Sequence, residues 1–231
     1  MAMILKDTVR TSDSDFSYQC HSCNKCCHGK EIQVNPYETM RLSSHLKITT
    51  TQFRHHYLKD QFLKHKKNSN ACIFLGENGC TVHKDRPQVC RLYPLGRFRR
   101  DTGDEVFTEL FPHPESKGVY GDSAKVKDYL KTQKVGSYLK AEKSYLKLIQ
   151  KMAIAALHDK STSKSETAFF KSEVKTIRYA DWVLDPDPVI EKYCEWKTIE
   201  FPLKTAQKLK IHLEALNSWA NGEWNPVIDN Y

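Results

Sequence analysis

The sequence predicts an α+β, mainly helical protein in which a small loop-rich metal module of clustered cysteines packs against a helical C-terminal region. Seven of the eight cysteines lie between residues 20 and 90, among short apolar runs and turn residues. Beyond residue 121, apolar residues recur at the spacing of a helix face, and all four tryptophans lie there. These observations divide the chain into a cysteine-cluster metal-binding module, 16–121, and a mostly helical region, 122–231.

The composition is typical of a soluble globular protein. The 231 residues include 39% hydrophobic and 28% charged side chains, and 36 Lys+Arg against 28 Asp+Glu give a net charge of +8. This balance excludes a disordered chain, and no apolar run approaches the roughly 18 residues of a membrane-spanning helix. The opening apolar stretch is too short for a secretory signal. We therefore expect a cytoplasmic protein that does not engage a membrane.

A strand and two helices are predicted after the first cysteines. Residues 31–34, Glu-Ile-Gln-Val, suit a short strand. Asn35 is a suitable N-cap for a helix, with Pro36 at the first helical position and Glu38 three residues after the cap. A second helix is expected over residues 49–62, where apolar residues share one face.

Two hairpins are predicted next. The turn Gly-Glu-Asn-Gly at 76–79 joins two small apolar runs within residues 71–95, which indicates a hairpin or knuckle that brings two thiols across from each other. Residues 96–111 have the pattern of a second hairpin, turning at 101–104.

The C-terminal half is predicted to be helical. Apolar residues recur at helical spacing over residues 138–157, and a last helix is expected over 203–219, ended by Asn221 and Gly222. The Ser/Lys stretch at 161–166 is the candidate linker between them.

The cysteines have the spacing of metal ligands. Two intervening residues separate Cys20, Cys23 and Cys26, and Cys27 follows directly, so that successive sulfurs can converge on one centre. In a reducing compartment, clustered thiols are metal ligands more often than cystines. Because adjacent residues point apart in a regular backbone, we expect Cys26 and Cys27 either to serve two ions or to divide between ligation and packing.

Three further cysteines, Cys72, Cys80 and Cys90, complete a set of seven candidate ligands. Two tetrahedral zinc ions, with one bridging sulfur or a histidine, and one iron–sulfur cluster are both compatible with this number. Zinc and iron therefore both stay open as the cofactor. Cys194 stands alone and is interpreted as a small buried apolar residue.

These motifs resemble the YkgJ-like CxxCxxCC family, a zinc- or iron-chelating domain. The resemblance is carried by CHSCNKCC at 20–27, CIFLGENGC at 72–80 and HKDRPQVCRLYP at 83–94, and it covers about residues 16–98. It implies metal chelation, with a possible place as the cofactor module of an enzyme or redox partner.

One branch of that family is the flagellin lysine N-methylase, which gives the alternative hypothesis of an S-adenosylmethionine-dependent protein lysine N-methyltransferase. That enzyme is longer than this chain, and no glycine-rich donor-binding loop occurs among the nine glycines here. The alternative therefore depends on the resemblance alone.

Several polar residues are candidates for accessory roles around the cysteines. Arg86 and Arg91 flank the third cysteine group and are expected either to donate hydrogen bonds to sulfur or to pair with surface carboxylates. The accessory histidines, expected beside the ligands or at the surface, are His21, His28 and His83.

The excess of positive charge is regional. Residues 124–175 contain twelve Lys, no Arg and five acidic residues. This region can bind an acidic protein partner, although lysines alternating with core positions also describe an ordinary solvated helix. No nucleic-acid motif is present, and sequence-specific nucleic-acid binding is not expected.

Overall fold

Helices and small antiparallel sheets make up the computed structural model, which describes residues 5–161 and 179–224. These residues contain eight helices and four sheets, so the predicted α+β, mainly helical class is confirmed. The chain forms two compact units: the first falls within Met1–Val34 and Tyr57–Leu139, and the second within Asn35–His56 and Lys140–Tyr231. The boundary drawn at residue 121 stays a prediction about domains.

The first unit is built on a three-stranded sheet with the order β1-β8-β7. Its strands are β1 (Leu5–Arg10), β7 (Leu95–Arg99) and β8 (Glu105–Leu110). The hairpin predicted over 96–111 is present as β7 and β8, with Arg97 opposite Phe107. A buried cluster of this unit joins the sheet to neighbouring elements through Phe16, Leu95, Phe107, Val126 and Tyr129.

Smaller sheets complete the first unit. Strand β2 (Asp15–Gln19) pairs with β9 (Val119–Lys125), about one hundred residues later in the chain. Short hairpins are formed by β3 (Leu58–Lys59) with β4 (Phe62–Leu63), and by β5 (Leu75–Gly76) with β6 (Gly79–Cys80). The short helices of this unit are α3 (Gln88–Leu92) and α4 (Val126–Thr132).

The second unit is helical. Its helices are α1 (Pro36–Leu46), α2 (Thr50–Tyr57), α5 (Gly136–Ser161), α6 (Tyr179–Leu184), α7 (Pro186–Lys197) and α8 (Thr205–Ala220). The last residue of α2 and the first four residues of α5 belong to the first unit. The predicted start of α1 is confirmed as a capping box, because the Asn35 side chain accepts from the Glu38 N–H while the Glu38 carboxylate accepts from the Asn35 N–H. Helix α8 matches the predicted last helix closely.

A buried polar network holds the start of α2 against the start of α7. Thr50 Oγ1 donates a 2.5 Å hydrogen bond to Asp185 and accepts the N–H of Asp187 at 2.9 Å. Asp187 in turn accepts from the Thr50 N–H and forms a 2.7 Å ion pair with Lys208. Thr51 adds a 2.8 Å bond to Asp185. Residues of α2 therefore hold both Asp185, the N-cap of α7, and Asp187 in its first turn.

A buried histidine joins α5, α6 and α8. His212 is fully buried, its Nε2 lies 2.9 Å from the carbonyl oxygen of Trp182, and its Nδ1 lies 2.7 Å from the Tyr145 hydroxyl. The arrangement fits a neutral ring that donates from Nε2 and accepts at Nδ1. Burial lowers the pKa of His212 to about 4.

Two local predictions differ from the structure. Residues 31–34 do not form a strand, since only Gln33 makes an isolated bridge, to Phe62. The helix predicted over 49–62 ends at Tyr57, because the chain reverses at Asp60, whose φ of 57° is left-handed, and forms the β3–β4 hairpin. Leu58 and Leu63 are buried as a pair in this hairpin. The apolar residues at the end of the predicted helix therefore belong to the hairpin.

The helix predicted over 138–157 is confirmed and extended as α5. All but the first residue of the candidate linker at 161–166 lies outside the described residues, as does the end of the lysine-rich region. Among the described residues, no helix is long and apolar enough to cross a membrane.

Candidate metal centre

Backbone hydrogen bonds join the two cysteine-bearing stretches of the first unit. The N–H of Cys72 donates to the carbonyl oxygen of Cys27 at 2.8 Å, and the N–H of Gly29 donates to the carbonyl oxygen of Asn70 at 2.8 Å. His28 and Ala71 form an antiparallel bridge between these bonds. The segment that follows the CxxCxxCC run is therefore paired directly with the segment that begins the second cysteine group.

The β5–β6 hairpin adds a second contact between the same stretches. Gly79, at the tip of this hairpin, has a φ of 107°, and a Cβ placed on it would lie 3.3 Å from Oδ1 of Asn24. A side chain at this position would be strained by the backbone angle and crowded by Asn24. The turn predicted over 76–79 thus brings Cys80 back toward the first cysteines.

The adjacent cysteines, Cys26 and Cys27, point toward each other. Asn24 has a left-handed backbone with φ 61°, and residues Lys25–Cys27 form a single 3₁₀ turn. This irregular backbone brings the two sulfurs to 4.0 Å. The divergence expected of neighbouring thiols applies to a regular strand or helix and not to this turn. The division of Cys26 and Cys27 between two ions, or between ligation and packing, stays a prediction.

The pKa values of the two adjacent thiols are shifted in opposite directions. A hydrogen bond from Cys27 lowers the pKa of Cys26 to about 6, with help from the positive charges of Lys30 and Arg86. The same bond, followed by burial, raises the pKa of Cys27. The hydrogen bond between the two sulfurs and the nearby cations therefore make Cys26 the more acidic thiol of the pair.

The three cysteines of the second group interact electrostatically with this pair. Burial raises the pKa of both Cys72 and Cys80, and the charge on Cys26 raises each further. Cys90 raises the pKa of Cys27 in the same way. Five thiols thus interact through their charges: Cys26, Cys27, Cys72, Cys80 and Cys90.

Cys20 and Cys23 lie nearer the surface than these five. Cys20 is exposed, and its sulfur accepts the N–H of Ser22 at 3.4 Å. The sulfur of Cys23 accepts the N–H of Lys117 at 3.5 Å, and this bond lowers the pKa of Cys23. N–H···S bonds of this kind stabilise thiolates, including those that bind metal.

All eight cysteines are free thiols, including Cys194, which is buried as expected. Within residues 5–161 and 179–224, no three His, Cys, Asp or Glu side chains are arranged to hold one metal ion together. The donor types nevertheless fit zinc or iron, which both favour thiolate ligands. The thiols of the described residues are thus clustered, but three of them do not surround a common centre at ligand distance.

Lys30 and Arg86 supply positive charge beside the thiols. The ammonium of Lys30 lies 4.0 Å from the centroid of the Tyr93 ring, and although burial lowers the pKa of Lys30, the nearby thiolates oppose that shift. Arg86 donates to the carbonyl oxygen of His83 at 2.7 Å and to Gln133 at 2.8 Å. Both cations can offset the charge of several thiolates.

Arg91 has a different role from Arg86. Its buried guanidinium donates to the carbonyl oxygens of Lys84, Arg86 and Gln133, and it lies 4.7 Å from the centroid of the Tyr138 ring. Neither a thiol nor a carboxylate is among these partners. Arg91 instead holds the backbone of the loop that connects Cys80 to Cys90.

The three candidate histidines take up separate positions. His28 makes a 3.2 Å contact with the carbonyl oxygen of Asn24, which closes the turn around the adjacent cysteines. His83 lies 3.4 Å from Arg86, and burial, together with the nearby arginines, lowers its pKa. His21 is exposed.

A group of tyrosines near the thiols was missed by the sequence analysis. Tyr18 packs edge-on against Tyr93 at 6.0 Å and against Tyr120 at 5.1 Å between ring centroids. Burial raises the pKa of Tyr18 to about 12, and the charges of Tyr93 and Cys20 add to this effect. The pairing of β2 with β9 brings Tyr18 and Tyr120 together, a long-range contact that no local motif signals.

A protein-family model matches part of the chain. Residues 19–110 match the family model described as "CxxCxxCC: Putative zinc- or iron-chelating domain". No curated protein and no solved structure matches the chain at a significant level. The family resemblance drawn from the cysteine motifs is confirmed, and the match supports metal binding in general.

Proposed function

We propose that the CxxCxxCC domain at residues 19–110 binds zinc or iron through a thiolate set centred on Cys26, Cys27, Cys72, Cys80 and Cys90. One observation carries this proposal. The sulfurs of Cys26 and Cys27 lie 4.0 Å apart. In a tetrahedral site with Zn–S bonds of about 2.3 Å, two sulfur ligands stand about 3.8 Å apart. The adjacent pair is therefore spaced as two ligands of one ion.

The polar surroundings support the same proposal. Several thiolates repel one another unless their charge is offset, and Lys30 and Arg86 both interact with the sulfurs of this group. Backbone N–H groups donate to Cys20 and Cys23, the outer members of the predicted set. These groups favour ionised sulfur, which is the form that binds metal.

Binding is expected to draw the remaining sulfurs inward. The segment of Cys72 is bonded to the first stretch through the backbone, and Gly79, next to Cys80, lies against Asn24, so we expect side-chain rotation to close the set around an ion. The domain then gains order from the metal. A reducing compartment such as the cytoplasm, which we propose as the location, keeps these free thiols available.

Elemental analysis and absorption spectroscopy of protein purified without oxygen test the proposal. Stoichiometric zinc without visible absorption identifies a zinc site, whereas iron with sulfide and a broad visible band identifies an iron–sulfur cluster. Replacing Cys27 or Cys80 with Ser should remove most of the metal from either kind of site.

The matched control is Cys194→Ser, because Cys194 is a buried thiol in the second unit. This variant should keep the wild-type metal content. Equal metal content in Cys27→Ser, Cys80→Ser and the control would contradict the proposal, as would purified protein without metal that also fails to bind added zinc or iron.

A further inference from the structure

The exposed side of helix α5 carries a stripe of lysines. Lys140, Lys143, Lys147 and Lys151 recur at three- and four-residue spacing and are all exposed. Residues with this spacing lie along one side of a helix. The stripe therefore places four ammonium groups on one exposed side of the helix.

These lysines differ from those that precede the helix. Lys125 pairs with Asp15 at 2.7 Å, Lys127 pairs with Asp13 at 2.7 Å, and Lys131 pairs with Asp128 at 3.4 Å. In the described part of the chain, no ion pair involves a lysine of the stripe; Lys151 instead donates to the amide oxygen of Asn217 at 3.2 Å. The positive charge of the stripe is therefore not neutralised by carboxylates of the described chain.

An exposed apolar row runs beside the stripe. Leu146 and Ile149 are 43% and 45% exposed, and Ala153 continues the row one turn later. The core side of the helix is separate, since Tyr145, Leu148 and Met152 are buried. Exposed apolar side chains at spacings of three and four residues match the seam along which a second helix packs.

We propose that α5 docks an acidic amphipathic helix of a partner protein, with Leu146, Ile149 and Ala153 forming the seam and the lysine stripe facing the partner's carboxylates. The charge of the surface selects an acidic partner, and the apolar row selects a helix over an extended polyanion. A second copy of this chain is disfavoured because the two stripes would repel each other.

A membrane surface fits these observations less well. A helix that lies in a bilayer interface buries a broad apolar face, whereas Tyr138, Tyr145, Leu148 and Met152 of α5 are already in the protein core. The exposed Ile154 lies seven residues after Lys147, on the side of the lysines and apart from Leu146 and Ile149. The remaining exposed row is narrow. A row of this width matches the side chains of one neighbouring helix better than the acyl chains of a lipid layer.

Fluorescence anisotropy with a labelled synthetic peptide tests the proposal. The probe is an amphipathic helix with leucines at three- and four-residue spacing and glutamates beside them; the comparison peptide has lysines in place of the glutamates. The wild-type protein should bind the acidic probe, more weakly as salt rises, and should not bind the basic one.

Two variants separate charge from packing. Lys143→Glu/Lys147→Glu should weaken binding of the acidic probe about tenfold or more, and Leu146→Ser/Ile149→Ser should also weaken it, since both parts of the surface take part. The control Lys204→Glu/Lys210→Glu makes the same charge change at exposed lysines elsewhere in the second unit and should bind normally.

Three results would overturn the proposal. The first is no binding of the acidic probe by the wild type. The second is binding that Lys143→Glu/Lys147→Glu leaves unchanged or that Leu146→Ser/Ile149→Ser leaves unchanged. The third is binding only to vesicles of anionic lipid, which would assign the surface to a membrane. The metal content of the first unit does not enter any of these outcomes.

Discussion

The N–H of Cys72 donates a 2.8 Å hydrogen bond to the carbonyl oxygen of Cys27, which ties together two cysteines separated by forty-four intervening residues. This bond fixes the position of the second cysteine group relative to the first through the backbone. The sulfurs can then adjust by side-chain rotation alone. In a binding site of this kind, backbone hydrogen bonds fix the segments that carry the ligands, and the cysteine side chains rotate to meet the metal. The contribution of each residue can be tested by substitution.

Lys30 is expected to strengthen metal binding by offsetting thiolate charge. Its ammonium interacts with Cys26, Cys27 and Cys90 while resting on the Tyr93 ring. Lys30→Met should weaken metal affinity about tenfold in competition with a chelator, because outer groups of metal sites typically contribute ten- to hundredfold. The matched change Lys25→Met should have little effect, since Lys25 pairs with the exposed Glu115. Equal losses in the two variants would contradict this role.

Arg91 is expected to act through the backbone of the Cys80–Cys90 loop. Replacement by Lys keeps the charge but cannot reach three carbonyl oxygens at once. Arg91→Lys should therefore weaken metal binding about tenfold and speed amide hydrogen exchange in the loop. The exposed Arg100 provides the control variant Arg100→Lys. Unchanged exchange in the Arg91 variant would show that the carbonyl contacts do not hold the loop.

Thr50 is expected to be a key residue of the second unit. Thr50→Val preserves the shape but removes the hydroxyl that bonds Asp185 and Asp187, so it should lower the free energy of unfolding by about 3 kcal/mol. Thr51→Val removes a less buried bond to Asp185 and should cost about 1 kcal/mol. Urea unfolding followed by tryptophan fluorescence measures both, since all four tryptophans belong to this unit. Equal costs would contradict the assignment.

The second unit is also expected to lose stability in mild acid because of His212. Its folded pKa of about 4 lies below the ordinary value of 6.5, so between these values the unfolded chain binds a proton that the folded chain does not. The stabilising effect is complete above pH 6.5 and is lost as pH falls toward 4.

This effect should be visible between pH 7 and pH 5, where linkage gives a loss of about 2 kcal/mol. His212→Gln cannot titrate in this range. We expect the variant to be less stable than the wild type at pH 7, but its free energy of unfolding should fall by about 2 kcal/mol less between pH 7 and pH 5. If wild type and variant lose the same free energy over this range, the neutral buried histidine is excluded as the cause.

Local patterns were sufficient for much of the fold. The capping residues Asn35 and Glu38, the turns at 76–79 and 101–104 and the apolar spacing of α5 each act within a few residues, and each was predicted. The helix over 49–62 failed because a hairpin and a helix can share the same short apolar pattern. The turn at Asp60 decided between them.

The site was predictable in its residue types and less so in its arrangement. The spacing of the cysteines identified the candidates, but the approach of Cys26 to Cys27 depends on the left-handed Asn24, which spacing does not reveal. Two of the tyrosines near the thiols, Tyr18 and Tyr120, come from strands that are distant in the sequence and pair with each other. The partners of Arg91 are backbone carbonyls, which carry no sequence signal.

X-ray absorption at the metal edge tests the central claim most directly. Sulfur from both cysteine groups is predicted to surround the bound ion, with about four sulfur neighbours at about 2.3 Å for zinc. The sulfur count should fall, or the metal should be lost, in both Cys27→Ser and Cys80→Ser, while Cys194→Ser should match the wild type. A metal surrounded by nitrogen and oxygen alone, or a sulfur shell unchanged in either site variant, would contradict the account.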